Sequence, residues 1–151
     1  MTSRIAMERI STQQASPEDA GHLADIRVAA MRPSLEALGR FDTDRARHRL
    51  LDGFCAGDTT LIKTDGLVAG FYVLRNRGDH LYLDHFYLSP DQQGKGIGRW
   101  IVETIKDKAR SLGTPVRLMA LRHSAANAFY LGAGFRALGS EGYDIHYQWG
   151  P

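Results

Sequence analysis

Residues 87 to 100 read YLSPDQQGKGIGRW, and within them three glycines alternate with other residues in Gly94-Lys95-Gly96-Ile97-Gly98. Glycines at that spacing let backbone N–H groups crowd toward one point, because no Cβ blocks the approach and positive φ angles cost little. If a helix starts directly after them, its first N–H groups are unpaired and its dipole places positive charge at the same spot. A phosphate or pyrophosphate suits such a loop. Lys95 and Arg99 add charge-assisted hydrogen bonds to phosphate oxygens. The same glycines would also serve a loop that only turns a strand into a helix.

Two familiar glycine loops do not fit. A nucleotide-hydrolysing P-loop needs Ser or Thr after its Gly-Lys to hold magnesium, whereas Lys95 is followed by Gly96 and Ile97. A dinucleotide fold needs GxGxxG after the first strand of a βαβ unit, and here GxGxG follows a fourth strand in an antiparallel meander.

That meander must position the loop. TTLIKT, Asp65-Gly66, LVAGFYVLR, the turn Asn76-Arg77-Gly78-Asp79 and HLYLDHFYL read as strands joined by short turns, Asp-Gly supplying the positive φ angles of a two-residue hairpin. Beyond the loop, Ile97, Ile101, Ile105, Ala109 and Leu112 recur every three or four residues until Gly113 and Pro115 stop the helix. PVRLMALR reads as a fifth strand, SAANAFYLG as a short helix capped by Ser124, and FRALGSE and YDIHYQW as two closing strands. At the start, MERIST reads as the first strand and SPEDAGHLADIRVAAM as a helix with Ser16 as N-cap, Pro17 in the first turn and Leu23, Ile26 and Ala30 on one face. After a connection, MRPSLEALGRFD, Asp42 caps a second helix through TDRARHRLLDGF that ends at Gly57.

The bulk composition narrows the function classes. With 151 residues, 43% hydrophobic and 24% charged, one domain over 1–151 is expected. Net charge is +2 and basic residues are interleaved with acids, so there is no stripe for nucleic acid. The longest apolar run, Leu67 to Leu74, is far short of the roughly 20 residues of a membrane span, and the N-terminal residues have no signal core, so a cytoplasmic protein is expected. The single cysteine, Cys55, excludes an intrachain disulfide and a multi-cysteine zinc site.

Gln93-Gly94-Lys95-Gly96-Ile97-Gly98 resembles the Q/R-x-x-G-x-G/A signature of the GNAT superfamily of N-acetyltransferases. LYLDHFYLSPDQQGKGIGRWIVETI is similar to that family's fourth strand, loop and third helix, and FYLGAGF, Phe129 to Phe135, to its short-helix element ending in aromatic-x-x-x-Gly-Phe. Element order extends the resemblance over about the whole chain. It implies an α/β fold of the GNAT type, a mixed, mostly antiparallel twisted sheet of about seven strands flanked by about four helices. It further implies transfer of acetyl from acetyl-CoA to a primary amine of a small molecule or peptide, by direct attack in a ternary complex and without a metal. The loop from Gln93 to Arg99, Gly94, Lys95, Gly96, Ile97 and Gly98 included, would hold the pyrophosphate. The pantetheine arm would lie beside the fourth strand where it splays from the fifth.

Acetyl transfer needs a positioned thioester, a neutral amine, donors for the developing oxyanion and a proton for the departing thiolate. By the resemblance, the Leu88 backbone N–H polarises the carbonyl, Phe86 offers main-chain groups to pantetheine, and Tyr130 protonates the thiolate. Tyr130 also reads as an aromatic filling the seam between short helix and sheet. Asn127 could bond a pantetheine amide, although the family's asparagine usually lies seven residues before the tyrosine, where His123 stands. For the base, the resemblance points to the fourth strand and to Asp84, with Tyr82 and His85 beside it and water as the substitute. Strict alternation puts Asp84, Phe86 and Leu88 on one face and His85 on the other, an order a bulge would reverse. The acceptor would meet MRPSLEALGRFD and the final hairpin, where Glu36, Glu141 and Asp144 suit a cationic amine and Arg32 and Arg40 a carboxylate. His146 and Tyr147 read equally as core or pocket. Exposed sheet edges leave room for a homodimer, and a non-catalytic acyl-CoA-binding or sensory module is the alternative to an enzyme.

Overall fold

The computed structural model describes residues 9–151. Met7 and Glu8 of the expected first strand lie outside them, and β1 spans Ile10–Gln14. Helix α1 (Ala20–Ala37) and helix α2 (Thr43–Leu51) come next, followed by β2 (Thr59–Thr64), β3 (Leu67–Asn76) and β4 (Leu81–Leu88). After the glycine loop come α3 (Ile97–Leu112), β5 (Val116–Leu121), α4 (Ala125–Gly132), β6 (Arg136–Glu141) and β7 (Asp144–Trp149). The seven strands form a mixed sheet in the order β1-β2-β3-β4-β5-β7-β6. β4 and β5 run parallel, as a helical crossover demands, and are paired only from Leu81↔Val116 to Leu83↔Leu118. The described chain divides into two compact units, one of the residues up to Val73 with His85–Gly98, the other of Leu74–Asp84 with Arg99–Pro151.

In the first unit, the Asp19 carboxylate accepts hydrogen bonds from the Ser16 N–H and hydroxyl at 2.8 and 3.2 Å, at a single 3-10 turn, Pro17–Asp19, that leads into α1. Two expected boundaries need correction. α1 continues through Pro33 to Ala37, leaving only residues 38–42 of the expected connection as loop. An internal proline forfeits one N–H bond, but the residues after it favour helix, and the Arg32–Glu36 ion pair at 3.4 Å bridges that turn. α2 ends at Leu51 rather than Gly57, and a separate 3-10 turn, Ala56–Asp58, leads into β2. Leu23, Ala24 and Ile26 of α1 and Leu50 of α2 pack with Leu61, Phe71 and Val73 of the strands. Full burial of each large side chain contributes about 1.5–3 kcal/mol. Asp65 (φ 52°) and Gly66 (φ 81°) make the expected tight hairpin. Ile62 pairs with Gly70 and Lys63 with Val68, so Ala69 is the extra residue of a β-bulge.

In the second unit, the apolar stripe of α3 is buried through Ile101, Val102, Ile105 and Ala109, and Gly113 ends the helix at φ 69°. β5 alternates buried Val116, Leu118 and Ala120 with exposed Arg117 and Met119, so one face packs and the other is open. All six residues of β6 are exposed. No helix of the described residues is long and apolar enough to cross a membrane.

Candidate active site

β4 leads into the glycine loop through a set of local bonds. The Ser89 N–H donates to Ala69 O at 2.8 Å, Gln92 N–H to Ser89 O at 2.8 Å, and Gln93 Nε2 reaches back to Leu88 O at 3.1 Å. Gly94 and Gly96 have φ of 77° and 85°, and nothing lies within 4 Å of where a Cβ would stand, so backbone angle rather than crowding demands glycine. Among the described residues, no protein acceptor takes the N–H of Gly94, Lys95 or Gly96. The unpaired first N–H groups of α3 follow directly. Ile97, 1% exposed, anchors the helix start, while Lys95 and Arg99 are exposed. These are unclaimed donors with two cations at hand, which fits a diphosphate.

Arg99 also lines a pocket of about 520 Å³ between α3 and α4, with Val102, Glu103, Lys106 and Phe129. Lys106 is a buried cation with a clear structural task. Its Nζ donates to Ala133 O at 2.5 Å, pairs with Glu103 at 3.1 Å, and lies 5.3 Å from the Trp149 ring centroid. It thereby satisfies a carbonyl at the C-terminal end of α4, where positive charge is favoured. Sequence reasoning missed it, since a lysine on a polar-looking helix face reads as solvated.

Tyr130 is 7% exposed and packs against Phe129 and Phe135, with ring centroids 5.1 and 5.4 Å away. Asn127 lies one turn earlier in α4. Its Nδ2 donates to Leu121 O at 2.9 Å and Ser124 O at 3.0 Å, and its Oδ1 accepts from the Tyr147 hydroxyl at 2.8 Å. Both ends of the carboxamide are therefore committed within the protein, and a pantetheine contact would be made in exchange for one of these bonds. His123 occupies the turn between β5 and α4 at φ 68°, an angle uncommon for a non-glycine residue.

On β4, Asp84 is ion-paired with Arg75 of β3 at 3.0 Å, both side chains mostly buried. The four-residue turn between these strands makes the two diagonal neighbours, and that spacing is the sequence signal for the pair. His85 is 3% exposed on the opposite face, as alternation without reversal requires. Its Nε2 is 3.0 Å from Arg49 Nη1 and its Nδ1 3.1 Å from the Tyr87 hydroxyl. Arginine can only donate, so Nε2 accepts and the neutral ring carries its proton on Nδ1. The Tyr87 oxygen also accepts from Arg27 Nε at 3.1 Å, and Arg27 Nη1 donates to Ala46 O at 2.8 Å. This network joins α1, α2 and β4 and engages both nitrogens of His85.

A second pocket, of about 430 Å³, opens on the sheet and is lined by His80, Tyr82, Arg117, Glu141 and His146 among others. Arg117 Nε donates to Gln148 at 2.8 Å, and His146 Nε2 is 4.0 Å from Glu141. His146 and Tyr147 both line this pocket, and Tyr147 is buried. Beside it, His80 Nδ1 sits 2.6 Å from the exposed Asp79 carboxylate, and that hydrogen bond holds the Asp79 carboxyl below its ordinary range. Of the expected acceptor-binding charges, Arg32 and Glu36 are paired with each other, and Arg32 also stacks over Phe41 at 4.9 Å.

The model of an acetyltransferase (GNAT) domain matches residues 22–151. No curated protein matches the sequence. Among solved structures, the PaiA N-acetyltransferase of Thermoplasma acidophilum in complex with coenzyme A is similar at a TM-score of 0.72 and 18% identity, over 92% of this chain and 97% of that one. An acetyltransferase from Thermus thermophilus is similar at 0.71 and 19%, over 93% and 96%. The N-acetylglutamate synthase of Neisseria gonorrhoeae, complexed with coenzyme A and N-acetyl-glutamate, is similar at 0.63 and 19%, over 92% of this chain and 34% of that one. At these identities the likeness is one of fold.

Proposed function

The chain belongs to the GNAT acetyltransferase family, and on that premise we propose that it moves the acetyl group of acetyl-CoA to a primary amine of a small molecule or peptide. The observation that carries this is the loop after β4, whose positive-φ glycines leave the Gly94, Lys95 and Gly96 N–H groups without a protein acceptor beside exposed Lys95 and Arg99. Those donors, with Gln93, Ile97 and Gly98, take the diphosphate of the donor. The pocket between α3 and α4, walled by Arg99 and Phe129, suits the rest of the coenzyme A nucleotide portion.

In the transfer, the amine nitrogen bonds to the thioester carbonyl carbon and the C–S bond breaks within one ternary complex. The Leu88 N–H stabilises the negative oxygen and Phe86 steadies the pantetheine arm through its main chain. Tyr130, with a phenol neutral at pH 7, gives its proton to the departing thiolate. Asp84 removes the amine proton through a water, its carboxylate oriented by Arg75. His85, with both nitrogens engaged, is not the base in this reading. Asn127 holds the turn between β5 and α4 in place.

Thiol release from acetyl-CoA with a panel of amines, amino acids and peptides tests the proposal, with binding followed by calorimetry. Turnover on one amine class, lowered about 10²-fold or more by Asp84→Asn, is expected. Tight binding of acetyl-CoA with no turnover on any amine would favour the alternative, a non-catalytic acyl-CoA-binding module.

A further inference from the structure

We infer that Gly70, on β3, is a positioning residue for the Leu88 N–H and thus for polarisation of the thioester carbonyl; the inference rests on the acetyltransferase reading above. Glycine inside a strand costs about 0.5–1 kcal/mol relative to alanine, so its presence there needs a reason. A Cβ on Gly70 would stand 2.9 Å from Leu88 Cδ2, 3.0 Å from Leu88 Cα and closer still to Tyr87 O. The end of β4 therefore rests on the bare backbone of Gly70, beside the bulge at Ala69.

Two bonds hold the next peptide, Leu88–Ser89, from either side and so fix the backbone directly after the donor. Ser89 N–H is tied to Ala69 O on β3 at 2.8 Å, and Leu88 O is held by Gln93 Nε2 at 3.1 Å. In an extended strand the N–H and C=O of one residue point to the same edge, and neighbours alternate. The Leu88 N–H thus shares the edge on which Gln93 reaches its carbonyl, away from Ala69. The pairing of β4 with β5 ends at Leu83, five residues earlier. Bulge, glycine and Gln93 clamp together set where one donor points.

An oxyanion donor works only within about 2.7–3.1 Å of the developing charge, and losing one costs about 10²–10³ in kcat. Gly70→Ala must push the Tyr87–Leu88 peptide off its seat, weakening the donor without touching the diphosphate loop. The experiment compares the wild type, Gly70→Ala and the control Gly21→Ala, a glycine near the start of α1 with open space around it. The readouts are calorimetric affinity for acetyl-CoA, the kcat and KM split, and the infrared carbonyl band of bound ¹³C-labelled acetyl-CoA.

The expected result for Gly70→Ala is an affinity within about threefold of wild type, a kcat lowered about 10–100-fold and a carbonyl band shifted toward that of free thioester. Gly21→Ala should keep all three. If Gly70→Ala does not fold, Gly70→Ala with Leu88→Ala, which removes the Cδ2 part of the clash, is compared with Leu88→Ala alone. A Gly70→Ala protein whose kcat and carbonyl band both match wild type overturns the inference. So does a wild type that binds acetyl-CoA with an unshifted band, whatever its turnover. A wild type that binds no acetyl-CoA sinks the acetyltransferase reading itself, and the inference with it.

Discussion

Asn127→Ala should act on stability far more than on cofactor affinity. The substitution deletes a carboxamide that donates to Leu121 O and Ser124 O and accepts from the Tyr147 hydroxyl, at 2.9, 3.0 and 2.8 Å. Each such bond contributes about 1 kcal/mol net, and leaving the hydroxyl of buried Tyr147 without its partner costs about 1–3 kcal/mol. The two donated bonds and the stranded hydroxyl sum to about 3–5 kcal/mol, which for a chain of this length lowers Tm by about 6–20 °C. Urea and thermal denaturation of the two proteins measure it. Tyr147→Phe alone should cost about 1 kcal/mol, and the double variant should show a coupling of similar size. Calorimetry should find acetyl-CoA affinity of Asn127→Ala within about threefold of wild type, since the glycine loop proposed to hold the diphosphate is untouched. A stability within about 0.5 kcal/mol of wild type, together with a tenfold weaker affinity, would refute the reasoning and return Asn127 to the pantetheine site.

Three further outcomes are expected. Gly94→Ala and Gly96→Ala each disfavour the positive-φ loop conformation by about 1–2 kcal/mol; the exposed loop relaxes away from it in the free protein and the cost falls on binding, so acetyl-CoA affinity should fall about fivefold or more by calorimetry while the melting temperature changes little. Tyr130→Phe keeps the packing against Phe129 and Phe135, so the fold should hold while kcat falls about 10²-fold or more in thiol-release assays. The Asp79 carboxyl, depressed by the hydrogen bond from His80, should titrate below its ordinary range in carbon-detected NMR and move back up in His80→Gln. Its contribution to stability is therefore present above the unfolded value of about 3.8 and is lost as pH falls through the lower folded value.

The secondary structure was legible wherever local chemistry decides it. The Asp65-Gly66 hairpin, the spacing of Ile97, Ile101 and Ile105, and the stop at Gly113 all appear where period and turn residues place them. Boundaries set by weaker signals moved. Pro33 sits inside α1 because one lost bond is outweighed by the helix on both sides, and α2 stops at Leu51, two residues before Gly53, rather than running on to the second glycine, Gly57. At the site, the glycine loop and Tyr130 could be picked out as residues, but not their surroundings. The buried Lys106 cap and the Arg27–Tyr87–His85–Arg49 network each join residues far apart in the chain, whereas the Arg75–Asp84 pair follows from the four-residue turn between its strands.

By itself the sequence determined the order of the elements, the position of the glycine loop and the family, because these depend on residues within a few places of one another. Only the tertiary structure decided what each polar side chain is already bonded to. It turned Asn127 inward, closed both nitrogens of His85 and laid the end of β4 against Gly70, since hydrogen-bond partners and steric limits are supplied by whichever strand or helix packs alongside.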